Sequence, residues 1–286
     1  MFAIVGTVPE QDFPLVCGQA RVSEQNLFID NHCVAVNRGT PALLATAAKA
    51  CAFFGADPPM AYLAGDIGRG GGSRKVYAYL EQSLGQCRYE SITFHYIQPD
   101  VDWHNRVLFA VENMHPRPVL IADAGFMYAA KMSGQAAAYD VFTPDMGELA
   151  FLADPEAPHP FYTRGFIFHE PYRAKELIAS AYAHRNASRY LLVKGKTDIA
   201  ADENGILDTV SQPVVPAMEA IGGTGDIITG LIAAFTGLGK DPLTACIQAS
   251  AVSRLAGKLA NPDPGTRVMD IIEQIPAALK RFFEEK

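Results

Sequence analysis

Short apolar runs alternate with longer amphipathic runs along most of this chain, and this alternation restricts its fold more than any other feature. Val119–Ala122 and Tyr190–Val193 have the composition of buried strands, whereas Pro41–Phe54 is rich in alanine and is followed by Gly55, a residue that commonly ends a helix. Strands that alternate with helices form a mainly parallel sheet with helices on both faces. The sequence therefore predicts a three-layer α/β/α fold with a mainly parallel central sheet.

The same patterns predict boundaries for the other elements. Further strands are predicted at Phe2–Val5, Ala61–Leu63, Ser91–Ile97 and Val141–Thr143, and a hairpin at Thr197–Ala201 and Gly205–Val210. Further helices are predicted at Val76–Leu84, Tyr172–Ala187, Asp226–Phe235, Pro242–Leu259 and Val268–Phe283.

The composition and charge of the chain limit the kinds of molecule that it is expected to bind. The chain has 286 residues, of which 49% are hydrophobic, enough for one large α/β domain or two smaller ones. A net charge of −7 argues against nucleic acid or an acidic membrane surface as the main partner. The chain has no apolar run long enough to span a membrane, its first residues resemble a strand, and its five cysteines are widely spaced. We therefore expect a cytoplasmic protein with reduced thiols.

Polar residues and glycines follow several of the predicted strands. In open parallel sheets the ligand crevice lies outside the carboxyl ends of the strands, so these residues are expected to meet there. Each group taken alone is also compatible with an ordinary turn at a strand end. The groups are Gly65-Asp66, Asp123, Thr143-Pro144-Asp145 and Lys194-Gly195.

A glycine-rich turn leads into the predicted helix that begins at Asp226. Gly222, Gly223 and Gly225 allow close approach of a ligand to the backbone, and the free amides of a helix N-terminus bind anions. A carboxylate beside an anion site is suited to phosphoryl transfer to a hydroxyl group, with Asp226 accepting the proton. The alternative is a tight loop in which Asp226 only caps the helix. The turn lacks the Lys-Ser/Thr pair of a P-loop.

The order of these motifs resembles the ribokinase-like superfamily. More narrowly, it is similar to the ADP- or ATP-dependent NAD(P)H-hydrate dehydratase family. The resemblance covers roughly half of the chain and is carried by TPDMGEL at 143–149, VKG at 193–195 and GGTGD at 222–226. It implies one ribokinase-like domain over residues 1–286 that binds ADP or ATP with Mg²⁺ and acts on a small molecule. We further expect a homo-oligomer that binds neither nucleic acid nor membrane.

The resemblance also implies roles for individual residues. Asp226 is the implied catalytic base, and Glu148 and Asp145 are the implied Mg²⁺ ligands, acting through water. The implied nucleotide and phosphate contacts are Lys194, Gly195, Gly222, Gly223, Thr224 and Gly225. The candidates for binding the phosphoryl acceptor are Asn37, Gly39, Thr40, Gly65, Asp66 and Asp123.

The N-terminal half departs from the dehydratase pattern. Residues 37–46 and 65–68 look more like the sugar-kinase branch of the same superfamily. The resemblance implies a repair reaction on hydrated NADH or NADPH, in which the ring hydroxyl is phosphorylated and phosphate is then lost. The alternatives are a kinase acting on a sugar, a nucleoside or a hydroxymethyl heterocycle, and a nucleotide-binding regulator without catalysis.

Two segments have no role in this scheme. Residues 66–74 (DIGRGGGSR) are either a surface loop or a second phosphate-binding loop suited to a dinucleotide. Residues 154–171 hold several prolines and aromatic residues without a period, which suggests a flap over the crevice or an oligomer contact.

Overall fold

The computed structural model describes residues 1–157 and 171–284 of the chain. The strands are β1 Ala3–Val8, β2 Val16–Ser23, β3 Asn26–Ile29, β4 His32–Ala35, β5 Met60–Gly65, β6 Ser91–Phe94, β7 Val119–Ala122, β8 Val141–Phe142, β9 Tyr190–Val193, β10 Asp198–Asp202 and β11 Gly205–Val210. The helices are α1 Thr40–Phe53, α2 Gly71–Ser83, α3 Val101–Glu112, α4 Ala124–Met132, α5 Met146–Ala153, α6 Pro171–Ala183, α7 Thr224–Gly237, α8 Pro242–Ala260, α9 Val268–Ile272 and α10 Ile275–Glu284.

These strands form one mixed sheet in the order β11-β10-β9-β8-β7-β6-β1-β5-β2-β3-β4. The six central strands, from β9 to β5, pair in parallel, and the antiparallel strands β10 and β11 extend one edge. Strands β2, β3 and β4 extend the other edge, also by antiparallel pairing. The predicted α/β fold with a mainly parallel centre is confirmed, and the carboxyl ends of the six central strands lie along one edge of the sheet.

Helices cover both faces of the sheet because successive side chains of each central strand point to opposite sides. In β1, Ile4 and Val8 pack into the core formed with α1 and α7 to α10. Ala3 and Val5 pack into the other core, which includes side chains of α2 to α6. The result is the predicted three-layer arrangement.

Several predicted boundaries are wrong for identifiable reasons. The strand predicted at Ser91–Ile97 ends at Phe94, because Tyr96 has a φ of 43° and cannot continue an extended chain. The helix predicted at Val268–Phe283 is two helices, α9 and α10. Pro276 lies in the first turn of α10, where its missing N–H is tolerated, whereas it would break a continuous helix.

Three further expectations concern membrane spans, the cysteines and the segment 154–171. No helix in residues 1–157 or 171–284 is long and apolar enough to cross a lipid bilayer. The five cysteines are free thiols, and Cys51 and Cys246 are buried. Most of the segment 154–171, which the sequence suggests is a flap or an oligomer contact, lies outside the described residues.

Helices α1 and α7 pack closely, and a glycine makes this possible. A Cβ at Gly230 in α7 would lie 2.5 Å from the carbonyl oxygen of Leu43 and 2.9 Å from Cβ of Thr46, both in α1. The contact matters for the site because the amino ends of these two helices meet there. The backbone N–H of Gly39, just before α1, donates to Asp226 in the first turn of α7 over 2.6 Å.

We expect Gly230→Ala to lower the free energy of unfolding by about 1–3 kcal/mol, because the added methyl must push α1 away from α7. Urea unfolding followed by circular dichroism measures this change. Gly85→Ala is the matched control, since a Cβ there meets no atom within 4 Å and Gly85 has no positive φ. Equal stability of Gly230→Ala and the wild type would contradict the close contact.

Candidate active site

Four central strands end in polar residues that are largely buried at the same edge of the sheet. His95 follows β6, Asp123 follows β7, Thr143 follows β8 and Lys194 follows β9. Three of these positions belong to groups that the sequence predicts at strand ends. Buried polar groups must find partners, and here most of the partners are one another.

Asp226 lies at the centre of this cluster, in the first turn of α7, and is 8% exposed. Its Oδ2 accepts the Gly39 N–H, and its Oδ1 lies 3.1 Å from Nε2 of His95. One donor therefore holds each carboxylate oxygen, and the carboxylate plane is fixed. The sequence-based alternative, in which Asp226 only caps its own helix, does not describe these contacts, because both partners belong to other elements.

His95 is a site residue that no sequence pattern identified. It is 1% exposed, and its Nδ1 lies 3.1 Å from Oγ1 of Thr40, the first residue of α1. Its Nε2 is also 3.9 Å from Asp123. The predicted strand Ser91–Ile97 is three residues too long and places His95 inside a strand. With the true end at Phe94, His95 becomes the polar residue at a strand end, like Asp123.

Asp123 and Lys194 form a buried ion pair beside Asp226. The ammonium of Lys194 lies 2.9 and 3.0 Å from the two oxygens of Asp123, which also accepts the Thr229 hydroxyl over 2.6 Å. Burial alone would raise the pKa of Asp123, but Lys194 and His95 outweigh it and hold this pKa below its ordinary value. Burial likewise opposes the charge of Lys194, yet Asp123 and Glu148 raise its pKa. Both groups are therefore charged at neutral pH.

The glycine turn before α7 has the geometry of an anion site. Gly223 precedes the helix with a φ of 98°, a conformation that favours glycine, and no side chain caps the helix. A Cβ at Gly225 would lie 3.6 Å from the Lys194 ammonium nitrogen, and Arg38 packs against Gly222 and Gly223. Free amides and a nearby cation are suited to a phosphate group.

The Thr224 hydroxyl is hydrogen-bonded within the glycine turn. It donates to the carbonyl oxygens of Met218 and Ile221 over 3.4 and 3.3 Å, and so helps to shape the glycine turn. Only the backbone N–H of Thr224 lies at the uncapped end of the helix.

Asp145 and Glu148 form a capping box at the start of α5. Oδ1 of Asp145 accepts the Glu148 N–H over 2.8 Å, and Oε2 of Glu148 accepts the Asp145 N–H over 2.9 Å. The Tyr128 hydroxyl donates to the other oxygen of Glu148 over 2.6 Å. Burial, followed by the negative charge of Asp123, raises the pKa of Glu148 to about 7. The two carboxylates that the resemblance implies as Mg²⁺ ligands therefore cap a helix in the structure.

The raised pKa makes stability depend on pH. A carboxyl with a folded-state pKa of about 7 and an ordinary value of 4.5 binds more protons when folded, so its contribution falls as pH rises from 4.5 to 7. In metal-free buffer at pH 8 we expect urea unfolding to give Glu148→Gln a free energy of unfolding higher than that of the wild type by roughly 1–2 kcal/mol after allowance for solvent screening. At pH 5 the two should be equal. A variant that is less stable at both pH values would contradict this reasoning.

Hydrogen bonds from Arg254 in α8 hold the segment after β9. The Gly195 N–H donates to Asp198 over 3.0 Å, and Arg254 binds Asp198 and the carbonyl oxygen of Gly195, both over 2.9 Å. Arg254 lies within a long amphipathic helix, and no local pattern distinguishes it from a solvated arginine. It keeps Lys194-Gly195 in place beside the site.

The predicted acceptor residues fall into two groups. Gly39 and Thr40 contact Asp226 and His95 directly, as described above, and Asn37 is exposed two residues before Gly39. Asp66, in contrast, binds its own loop. Oδ1 accepts the N–H groups of residues 68, 69 and 70, each over 3.0 Å, and Oδ2 accepts the N–H and hydroxyl of Ser73 over 2.8 Å. Gly65 packs against the carbonyl oxygens of residues 10 and 13.

Comparison with known protein families identifies the family of this chain. A sequence model of the NAD(P)H-hydrate dehydratase family matches residues 98–277, more than half of the chain. The chain belongs to the NAD(P)H-hydrate dehydratase family. The resemblance found in the sequence is therefore confirmed, and the NAD(P)H-hydrate dehydratase match contains Asp123, Glu148, Lys194 and Asp226.

Individual relatives extend the comparison. An uncharacterised protein of Methanocaldococcus jannaschii is 37% identical over 217 residues, which cover 76% of this chain and 89% of the relative. The ADP-dependent (S)-NAD(P)H-hydrate dehydratase of Nitrosopumilus maritimus is 34% identical over 94 residues, 32% of each chain. The bifunctional NAD(P)H-hydrate repair enzyme of Pyrobaculum aerophilum is 33% identical over 144 residues, 50% of this chain and 26% of that enzyme. The chain thus matches only 26–32% of the length of these two named NAD(P)H-hydrate enzymes.

Solved structures agree on the fold. A ribokinase-like superfamily protein from Enterococcus faecalis superposes with a TM-score of 0.59 at 15% identity, covering 98% of this chain and 87% of that one. The ADP complex of Bacillus subtilis pyridoxal kinase gives a TM-score of 0.57 at 12% identity, covering 90% and 93%. At such identities the likeness concerns the fold alone. The ribokinase-like architecture expected of an NAD(P)H-hydrate dehydratase family member is confirmed.

The donors in this NAD(P)H-hydrate dehydratase family member suit a hydrated metal better than a protein cage. Within the described ranges, no three histidine, cysteine or acidic side chains are arranged to hold a metal ion directly. Mg²⁺ typically keeps several waters and binds through one or two carboxylates together with phosphate oxygens. Glu148 and Asp145 can supply such carboxylates. Burial and the negative charge of Asp123 raise the pKa of Glu148, and a nearby cation would favour its ionised form.

Proposed function

We propose that this protein is a nucleotide-dependent NAD(P)H-hydrate dehydratase. It uses ADP or ATP with Mg²⁺ to phosphorylate the ring hydroxyl of hydrated NADH or NADPH, and loss of phosphate then restores the double bond. One observation carries the proposal. A carboxylate held by two donors, Asp226, directly follows an uncapped glycine turn at the amino end of α7. A base and a phosphate site in this relation are what phosphoryl transfer to a hydroxyl requires.

In this mechanism Asp226 accepts the proton of the acceptor hydroxyl. Gly39 and His95 orient the carboxylate, and Thr40 in turn holds the other nitrogen of the His95 ring. His95 therefore orients the base Asp226, and Thr40 in turn orients His95, as in other activated catalytic groups. Its orientation is set before the substrate binds, so little reorganisation is needed during the reaction.

The transferring phosphoryl group would lie against the amides of the glycine turn. These amides and the Lys194 ammonium, beside Gly225, are suited to the charge that develops on its oxygens. Mg²⁺, held through water by Glu148 and Asp145, would neutralise the nucleotide phosphates when bound. Asp123 keeps Lys194 charged and directed toward the turn, so its support for phosphate binding is indirect.

A second candidate is a small-molecule kinase with the same phosphoryl-transfer residues. The family match begins at residue 98, so Gly39, Thr40 and His95, which surround the base on the acceptor side, lie outside it. A sugar, a nucleoside or a hydroxymethyl heterocycle would then be the acceptor. A regulator that only binds nucleotide would have no use for the oriented carboxylate of Asp226.

One assay separates the three functions. The purified protein is incubated with hydrated NADH, MgCl₂ and either ADP or ATP, and the absorbance of reduced nicotinamide is recorded. A dehydratase restores this absorbance in proportion to nucleotide consumed. A kinase leaves it unchanged and phosphorylates an acceptor from a panel of sugars, nucleosides and hydroxymethyl heterocycles. A regulator binds nucleotide and consumes none.

We also propose that residues 1–286 act as one ribokinase-like domain in the cytoplasm, as a homo-oligomer. The continuous sheet and the shared cores on its two faces support a single domain. Size-exclusion chromatography with light scattering measures the mass of the protein in solution. A mass equal to one chain would exclude a homo-oligomer.

A further inference from the structure

Tyr96 is a large aromatic side chain that the proposed mechanism does not use. It directly follows His95 at the end of β6, and its side chain is 51% exposed. Its ring meets that of His95 edge to face, with centroids 4.2 Å apart. A half-exposed aromatic ring beside a buried catalytic cluster is a surface on which another ring can stack.

The ring lies next to the base on the acceptor side. A Cβ at Gly39 would be 3.4 and 3.5 Å from Cδ2 and Cε2 of Tyr96, so the ring rests on the backbone of Gly39. The N–H of that same Gly39 donates to Asp226. Partial burial, followed by the negative charges of Asp226 and Asp123, raises the pKa of Tyr96 to about 12, so its phenol stays neutral during turnover.

The backbone of Tyr96 has an unfavourable conformation. Its φ of 43° is in the left-handed region, which is unfavourable for a bulky side chain. The Thr7 hydroxyl donates to the Tyr96 carbonyl oxygen and helps to hold this conformation. Strained residues of this kind cluster at functional sites, where the surrounding structure maintains them.

From these contacts we propose that Tyr96 stacks on a flat ring of the phosphoryl acceptor and so selects planar heterocycles over sugars. This inference rests on the proposed function, in which the acceptor is a hydrated dihydronicotinamide. The ring nitrogen, double bond and carboxamide of that molecule are conjugated and nearly flat. Stacking would place the flat part on Tyr96 and leave the hydroxyl to reach Asp226. A sugar ring has no conjugated flat face and packs on an aromatic ring only through its C–H bonds.

The test compares Tyr96→Leu, Tyr96→Phe and Tyr96→Gly in steady-state kinetics. We expect Tyr96→Leu and Tyr96→Gly to raise the KM for hydrated NADH by about 5–100-fold, the range of a lost stacking contact, while the KM for nucleotide stays within about twofold. Tyr96→Phe keeps the ring and should behave like the wild type. Glycine adopts positive φ readily, so Tyr96→Gly removes the ring without loss of the fold.

Tyr79→Leu is the matched control, because Tyr79 is a comparable tyrosine, 39% exposed, on α2. It should leave both KM values unchanged. An unchanged acceptor KM in both Tyr96→Leu and Tyr96→Gly would overturn the inference, as would an equal rise in the acceptor and nucleotide KM.

The stacking of Tyr96 on the acceptor and the proposed function can be refuted independently of each other. A wild-type protein that does not restore NADH refutes the proposed function, and the same variants are then assayed with hydroxymethyl heterocycles and with sugars. Loss of affinity in Tyr96→Leu for the flat acceptors alone still supports stacking. Efficient phosphorylation of a sugar that is insensitive to Tyr96→Leu overturns it.

Discussion

Asp226→Asn should lower kcat by about 10²–10⁴-fold, the usual contribution of a positioned general base. The asparagine side chain has the same shape and can keep the hydrogen bond from Gly39, so the glycine turn and nucleotide binding should be unaffected. The measurement pairs turnover with hydrated NADH, or with the acceptor found in the panel, and nucleotide affinity by calorimetry. A large loss of kcat with unchanged nucleotide affinity identifies Asp226 as the base.

Asp241→Asn is the matched control for that experiment. Asp241 caps the start of α8 by accepting the Thr244 N–H over 3.0 Å, and asparagine is an equally good cap. Its turnover should equal that of the wild type. If Asp226→Asn retained most of its turnover, Asp226 would be a structural carboxylate and the base would have to be sought elsewhere.

The second large effect concerns stability. Lys194→Met should lower the free energy of unfolding at pH 8 by about 3–5 kcal/mol, because it leaves the Asp123 carboxylate buried without its partner cation. Without Lys194 the buried carboxyl is expected to titrate above its unfolded-state pKa. The variant should then lose stability as pH rises, and the deficit should be smaller at pH 5. Urea unfolding at the two pH values measures both.

The double variant Asp123→Asn, Lys194→Met separates the ion pair from simple loss of packing. Removing both charges leaves no uncompensated carboxylate, so much of the stability lost in the single variant should return. A double variant no more stable than Lys194→Met would mean that packing of the lysine side chain, and not the charge pair, accounts for the loss.

Elements with a strong local signal were predictable from the sequence. Val119–Ala122 and Tyr190–Val193 are compact apolar runs bounded by polar residues, and both strands have the predicted ends. Because parallel strands align their carboxyl ends, those boundaries also placed Asp123 and Lys194 at one edge. The glycine turn before Asp226 carried its own signal, although the same pattern is also compatible with a tight loop that ends in a helix cap.

The parts that failed depend on contacts distant in sequence. Nothing local marks His95, whose partners are Thr40 and Asp226, 55 and 131 positions away. Its strand ends just before Tyr96, whose unusual φ is held by a hydrogen bond from the distant Thr7 hydroxyl. The antiparallel strands β2 to β4 were missed. Strands β3 and β4 have only four residues each, and strand propensity depends strongly on the packing context.

The loop at residues 66–73 already contains its own anion. Asp66 occupies with its carboxylate the amides that a Gly-x-Gly loop would otherwise offer to a phosphate. The hydrogen bonds from Ser73, Gly70 and Arg69 outweigh the effect of burial and lower the pKa of Asp66. The carboxylate therefore stays ionised even in mildly acidic solution. The diphosphate of a dinucleotide such as hydrated NADH must therefore bind to other groups, or must first displace the Asp66 carboxylate from these amides.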